Sequence, residues 1–428
     1  MNQKKSGITF LDKFLFNIIE NNLFEIVMFL ALVVSVLIRV TLAPECELSP
    51  DYNTYYKEWV NTYREVGILK GFSMTIGDYY VPFNILYAIS SLLPFEAWVP
   101  LSIASCLCEY VGAFFLYKIL KHLLSLNKAD KEKARRVSAV VSIAVLYIPT
   151  VVFNGALWKQ CDSMYTCFIL ISVYYLLKDR YTKSFVFLGI AFAFKLQAIF
   201  VIPAFLIIYM AKKSFSILQF AWIPVIFLLV GLPAVLAHRG LRATYFMYFA
   251  QTQETQSEGY GMVSYLPNLY NFGYDDYDAI LNAGAVLMVA FIFMISAYLF
   301  CKADKEYREN LKKVDMVKAE AGLFTGENIF YLVIWSAWTC CMFLPGMHER
   351  YDYMVIFMIT GYAFAIRKKL IPVAICIDVI SIITYGHILF KVETIPTYVL
   401  AVPYLIAYVF MCYDFYERLN SAGQKDMQ

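Results

Sequence analysis

The 428-residue chain contains no GxxxxGK[ST] loop and no GxGxxG turn, so no soluble nucleotide site can be read from it. Its ten cysteines form no CxxC pair. Cys106, Cys108, Cys340, Cys341, Cys376 and Cys412 lie inside apolar runs, where a free thiol behaves as a small hydrophobe. Cys46 and Cys161 fall in candidate loops, and spacing alone is no ground for a disulfide between them. Charge is scarce at 16% of residues, and the net +3 gives no basis for a nucleic-acid partner. Neither an internal repeat nor a low-complexity tract is visible.

What the chain has is apolar surface. Hydrophobic residues make up 61% of it, against roughly 45–50% in soluble domains. About 20 apolar residues cross the hydrocarbon core as a helix. On that measure spans are expected near 22–43, 98–121, 137–153, 161–177, 184–210, 217–237, 279–301, 328–345, 351–366, 370–389 and 395–416. The 184–210 run is interrupted by Lys195 and Gln197 and has basic residues on both flanks, so it reads as a bent or re-entrant pair. The expected fold is all-α: a single polytopic membrane bundle over 1–428 with about 11–12 spans. The first segment is too long for a signal-peptide core and is read as a retained span.

Basic residues orient the bundle. Placing the N-terminus (1–21), 118–136, 178–183, 212–213, 302–318, 367–369 and the 417–428 tail in the cytoplasm puts 26 of the 36 Lys and Arg residues there. Both termini are then cytoplasmic. The opposite face receives a first loop at 44–97, a second at 238–278, and nearly every unusual polar motif.

The first loop contains "SPDYNTYYKEWVNTYREVG", residues 49–67. Tyr52, Tyr55, Tyr56, Trp59, Val60, Tyr63 and Val66 share one helical face, while Ser49, Pro50 and Gly67 suit an N-cap, a first helical position and a stop. Aromatics opposite charges place this helix in the membrane interface. Asp51 in its first turn either complements the helix dipole or does chemistry. A second interfacial or re-entrant helix is expected in 77–94, preceded by Asp78, which either pairs with a nearby Lys or Arg or meets substrate.

"NGALWKQCDS" (154–163) brings Trp158, Gln160 and Asp162 to the mouth of a span, although Trp158 also suits an interfacial anchor. Lys195 and Gln197 sit at membrane depth, where ionisable groups usually face a partner or a wet site and the plain alternative is a snorkelling Lys. "PGMHERYDY" (345–353) sets His348, Glu349 and Arg350 at the expected start of a helix, whose free N–H groups favour anions. Arg350 and His348 there suit a phosphate, and the plain alternative is an Arg350–Glu349 surface pair. In 238–278, His238, Arg239, Arg242, several tyrosines and Asp275, Asp276 and Asp278 suit either sugar binding or anchoring at the interface.

The ordered motifs "SPDY", "WKQCDSMYT", "FKLQAIFVIP", "PNLYNF" and "MHERYDY" resemble bacterial membrane proteins similar to the GPI mannosyltransferases, of the GT-C glycosyltransferase superfamily, over roughly residues 20–365. The resemblance implies a GT-C-like helical bundle with juxtamembrane helices in its first outer loop. It implies transfer of one hexose, mannose in the family's name, from a polyprenyl-phosphate sugar to a glycan, glycolipid or protein acceptor on the extracytoplasmic face of the bilayer. Asp51 matches the family's acidic position and would be the catalytic base. His348 and Arg350, with Lys195, would hold the donor phosphate. Trp158, Gln160, Asp162, Asp78, Gln197 and Glu349 would shape the sugar or acceptor pocket. The family often has Gly-Asp or Asp-Asp where this chain has Pro50–Asp51, so a second adjacent carboxylate for a metal is absent. No cofactor is required on this reading, with Mg²⁺ or Mn²⁺ the alternative. The expected location is a plasma membrane, with the endoplasmic reticulum the alternative. Two other functions stay open: a ligase or polymerase using lipid-linked oligosaccharide, and a lipid or solute transporter, which the missing repeat disfavours.

Overall fold

The computed structural model describes residues 9–248, 266–272, 279–312 and 326–425. Among these the regular structure is entirely helical, which lets the backbone satisfy its own polar groups away from water. Six helices are long and apolar enough to cross a membrane: Phe10–Leu42, Trp98–Leu126, Ile217–Leu236, Ala283–Lys302, Lys368–Leu389 and Thr397–Leu419. A bent pair, Lys131–Val145 with Pro149–Leu157, meets at 61° and makes a seventh among the described residues if it crosses as one broken span. The chain is a multi-pass membrane protein.

Of the 11–12 expected spans, six or seven pass on length and composition among the described residues. Val81–Leu92, Asp162–Leu177, Tyr181–Phe194, Leu196–Lys212 and Tyr353–Ala365 are apolar but shorter. Apolar runs look alike in a sequence, whereas backbone breaks decide where each helix ends. Lys195 breaks 184–210 as expected: it is extended (φ −154°, ψ 137°) between Tyr181–Phe194 and the tight turn Leu196–Val201. A second break falls inside 137–153, which reads as unbroken. Pro149 has no N–H to donate, and Ile148 before it is extended (φ −60°, ψ 125°).

The first helix also starts earlier than expected, at Phe10 rather than near residue 22. Thr9 and Asp12 form a reciprocal capping box there, and Asn22 marks a kink (φ −124°, ψ 19°). Thus much of 1–21 is helix continuous with the first span.

The first loop folds on itself. Helix Lys57–Val66 ends at Gly67, whose φ of +81° is the left-handed conformation that favours glycine. Its aromatic face differs from the expected lipid-facing one. Tyr52, Tyr56, Val60 and Tyr63 are buried in protein, with Phe72, Tyr80, Phe83 and Tyr87. Complete burial of a side chain such as Val60 or Phe83 is worth about 1.5–3 kcal/mol relative to water, and here helix Val81–Leu92 supplies the covering surface. Only Tyr55 of that face remains largely exposed.

Arg239 clamps this loop to the start of 238–278. Its guanidinium is buried and donates to the Phe72 carbonyl (3.0 Å) and to Asn84 Oδ1 (2.9 Å). Tyr245 and Tyr248 turn inward too, bonding the carbonyls of Leu228 and of Phe192. Asp275, Asp276 and Asp278 lie outside the described residues. Replacing Arg239 by Ala removes both charged donors and leaves buried acceptors unpaired, so Arg239→Ala should lower stability by about 2 kcal/mol. Arg242→Ala, on an exposed neighbour, should change little. Thermal unfolding of both variants in one detergent checks the contrast.

Candidate active site

After a short helical turn at Cys46–Leu48, helix resumes at Pro50, with the Ser49 hydroxyl accepting from the Tyr52 N–H (3.4 Å) and donating to the Trp158 carbonyl (3.0 Å). Asp51 follows in the first turn, yet its carboxylate caps no backbone N–H. It reaches across to 158–160 instead. Asp51 Oδ2 accepts from Trp158 Nε1 (3.1 Å) and from the Gln160 side-chain amide. Among the described residues every partner of Asp51 uses Oδ2.

The 154–163 segment is shaped to make that contact. A wide helical turn over Phe153–Leu157 ends at Trp158, and Lys159 takes a left-handed φ of 61°. Lys159 thereby turns away, its ammonium donating to the Leu157 carbonyl (2.8 Å) over the Tyr52 ring. Trp158 is buried edge-on to Tyr385, not an interfacial anchor. Asp162 begins the next helix and is fully buried. Its Oδ1 holds Lys195 Nζ at 2.5 Å and its Oδ2 accepts from Asn154 Nδ2 at 3.0 Å.

Arg350 joins the two carboxylates. Its guanidinium lies over the Trp158 ring (5.1 Å), 3.9 Å from Asp51 Oδ2 and 3.8 Å from Asp162 Oδ2. Those lengths are coulombic contacts rather than hydrogen bonds. The tight partner is its neighbour Glu349, buried, at 2.7 Å. The expected Arg350–Glu349 pair thus exists, but inside the protein. His348 and Arg350 also precede the helix instead of opening it, because the turn runs to Asp352 and the helix starts at Tyr353. That turn is braced from behind. The Leu266 N–H donates to the Met347 carbonyl (3.2 Å), Tyr270 Oη to Phe343 (3.0 Å), and Tyr404 Oη to Asp352 Oδ2 (3.1 Å).

Burial pushes the His348 imidazole down to about 3, reinforced by the charges of Arg350 and Lys195. It is therefore neutral near pH 7, contrary to an imidazolium ready to meet a phosphate. A neutral ring still donates one N–H. With His348 neutral, the cations of Arg350 and Lys195 face three acids, Asp51, Asp162 and Glu349.

Two expected residues stand apart from this cluster. Asp78 is exposed, and its neighbour Tyr79 points inward, bonding Tyr56 Oη (3.1 Å) and lying 3.5 Å from Gln160 Oε1. Gln197 sits in the turn after Lys195, its Oε1 buried with no hydrogen-bond partner among the described residues. Sequence reasoning missed Tyr79, Asn154 and Tyr351, over whose ring Lys195 sits at 5.1 Å. Tyr79 and Tyr351 adjoin residues it did single out, and Asn154 opens a quoted motif, but nothing in a one-dimensional pattern says which side chain turns inward. All ten cysteines are free, and among the described residues no group of three His, Cys, Asp or Glu side chains gathers as a metal site.

A multi-pass helical bundle with a buried acid–arginine cluster on its loops is an architecture suited to a membrane-embedded transferase. Residues 79–314, just over half of the chain, match the model of Glycosyltransferase family 87. The chain belongs to that family and is a membrane glycosyltransferase, working at a lipid bilayer on a glycosyl acceptor. No curated protein matches it. The matched stretch contains Trp158, Gln160, Asp162, Lys195 and Gln197; Asp51, Asp78, His348, Glu349 and Arg350 lie outside it.

An unfolded histidine titrates near about 6.5, so unfolding takes up a proton at His348 between there and about 3. Stability from keeping this ring neutral is complete above that window and is lost as pH falls through it. His348→Gln should therefore flatten the decline of unfolding stability from pH ~6.5 downward. Parallel acid titrations of the melting temperature read this directly. Equal slopes would mean that His348 is not held neutral.

Proposed function

We propose that this protein transfers one hexose from a polyprenyl-phosphate sugar to an acceptor hydroxyl by a single inverting displacement. The reading is supported above all by one arrangement: Asp51 held by Trp158 and Gln160, with Arg350 within 3.9 Å of it and of Asp162. Asp51 Oδ1 would take the acceptor's proton as the acceptor oxygen bonds to the anomeric carbon. The bond from that carbon to the phosphate oxygen breaks, and its electron pair leaves on the polyprenyl phosphate.

The departing phosphate gains negative charge, and a preorganised cation there is commonly the largest catalytic term. Arg350 is that cation. Its long contacts to Asp51 and Asp162 are the ones a phosphate replaces, while Glu349 keeps the guanidinium in place. His348 donates as a neutral ring. Lys195, tied to Asp162, acts mainly by holding that carboxylate toward the sugar. Trp158, Gln160 and Asp162 shape the sugar pocket, with Asp78 and Gln197 further out. The likeness to GPI mannosyltransferases supports a GT-C type enzyme and makes mannose the first sugar to try. The basic-residue distribution supports cytoplasmic termini and a site on the outer face of a plasma membrane. No metal is needed, because Arg350 meets the phosphate.

Purified protein in nanodiscs should release polyprenyl phosphate from one member of a panel of polyprenyl-phosphate hexoses, with chelator present. Asp51→Asn should lower turnover by about 10²–10⁴-fold. Arg350→Lys, which keeps charge but loses the planar fork, should also fall well below wild type. Full turnover by Asp51→Asn would remove it as the base. Reaction only with lipid pyrophosphate oligosaccharides would replace monosaccharide transfer with block transfer, and loss of activity with chelator would require a divalent ion.

A further inference from the structure

Behind the cluster, and in contact with none of its acids, lies a second buried ion pair. Arg39 of the first span meets Glu109 of helix Trp98–Leu126 at 2.6 Å, both almost without exposure. Isolating two charges from water is costly, and pairs of this kind are often no more stable than apolar replacements. Stability alone is therefore a weak reason for this pair.

Its contacts suggest another reason. The Arg39 Nη2 donates to the Leu146 carbonyl (2.9 Å), at the break of the bent pair. On the other side Glu109 Oε1 presses on Gly155, where an added Cβ would come within 2.1 Å of it. Gly155 sits in the wide turn, between Asn154, which holds Asp162, and Trp158, which holds Asp51. One helical turn before Glu109, Ser105 grips the downstream side of the same segment. Its hydroxyl donates to the Gln160 carbonyl (2.7 Å), and its carbonyl accepts from the Ser163 hydroxyl (2.9 Å).

We propose that Arg39 and Glu109 are positioning residues, which together with Ser105 fix the bend at 146–155 and so set where the 154–162 segment presents Asn154, Trp158, Gln160 and Asp162. The bearing on catalysis rests on the transferase reading above; the ordering of the segment does not. Glu109 is the template against which the glycine turn is moulded, and Arg39 holds Glu109 while anchoring the other limb of the bend.

Glu109→Ala alone strands the Arg39 charge and would confuse unfolding with misplacement, so the informative variant is Arg39→Met with Glu109→Leu. It should fold and melt near wild type. Gly155→Ala, which keeps the ion pair but forces the turn off Glu109, is its counterpart. In both, amide hydrogen exchange should quicken across residues 150–161 and stay unchanged in Gly326–Phe343. With an active donor in hand, kcat should fall on the order of 100-fold while the donor KM holds, as expected for misplaced rather than missing groups. Unchanged exchange at 150–161 in the double variant overturns the proposal, whatever turnover does. Quickened exchange sustains it even if no polyprenyl-phosphate donor reacts, a result that counts against the transferase reading alone.

Discussion

A guanidinium largely withdrawn from water among carboxylates is the constraint around which the other parts of this protein are arranged. Arg350 is held at 2.7 Å by Glu349 and lies within 3.9 Å of Asp51 and Asp162. Burying a charge without partners costs several kcal/mol, so the fully buried Asp162 and Glu349 depend on their cations. The cluster's positions, 51, 162, 349 and 350, are scattered through the chain. The first loop, the 154–163 segment and the turn before Tyr353 must therefore arrive together.

Each of those segments is delivered by a local break in helical structure. The Pro50 start aims Asp51 outward from the first loop, while Pro149 and the wide turn after it bend the chain toward Trp158. The extended backbone at Lys195 turns an ammonium onto Asp162. The turn ending at Asp352 does the same for Arg350, braced by the 266–272 segment. The short apolar helices beside these breaks are then consistent with their role. Asp162–Leu177, Tyr181–Phe194 and Tyr353–Ala365 each carry, at one end, the backbone from which a polar loop leaves. Long helices around them meet the lipid, which suits the sparse burial of Phe10–Leu42 and Ile217–Leu236.

Residues 49–67 show how far local pattern carries. Their aromatic spacing identified the helix and its buried face, and Ser49, Pro50 and Gly67 marked its ends. The same spacing assigned that face to lipid, because an aromatic stripe reads alike whether its partner is a headgroup region or another helix. Helix Val81–Leu92 supplied the partner. Asp51 was equally ambiguous in isolation. Only the proximity of Trp158 and Gln160 separates a dipole complement from a carboxylate held for another purpose.

By itself the sequence determined the class: a helical membrane chain, the polar motifs that interrupt its apolar runs, and the residue types able to meet an anion. Those properties follow from composition and short-range periodicity, which act over a few residues. The tertiary structure decided that an apolar run such as 137–153 is broken, at Pro149. It also decided that Lys195 belongs to Asp162, that burial and nearby cations push the His348 imidazole down, and that Tyr79 rather than Asp78 turns inward. The reason is physical. Pairing energies and desolvation depend on distances between segments tens to hundreds of residues apart, and no local pattern encodes those distances.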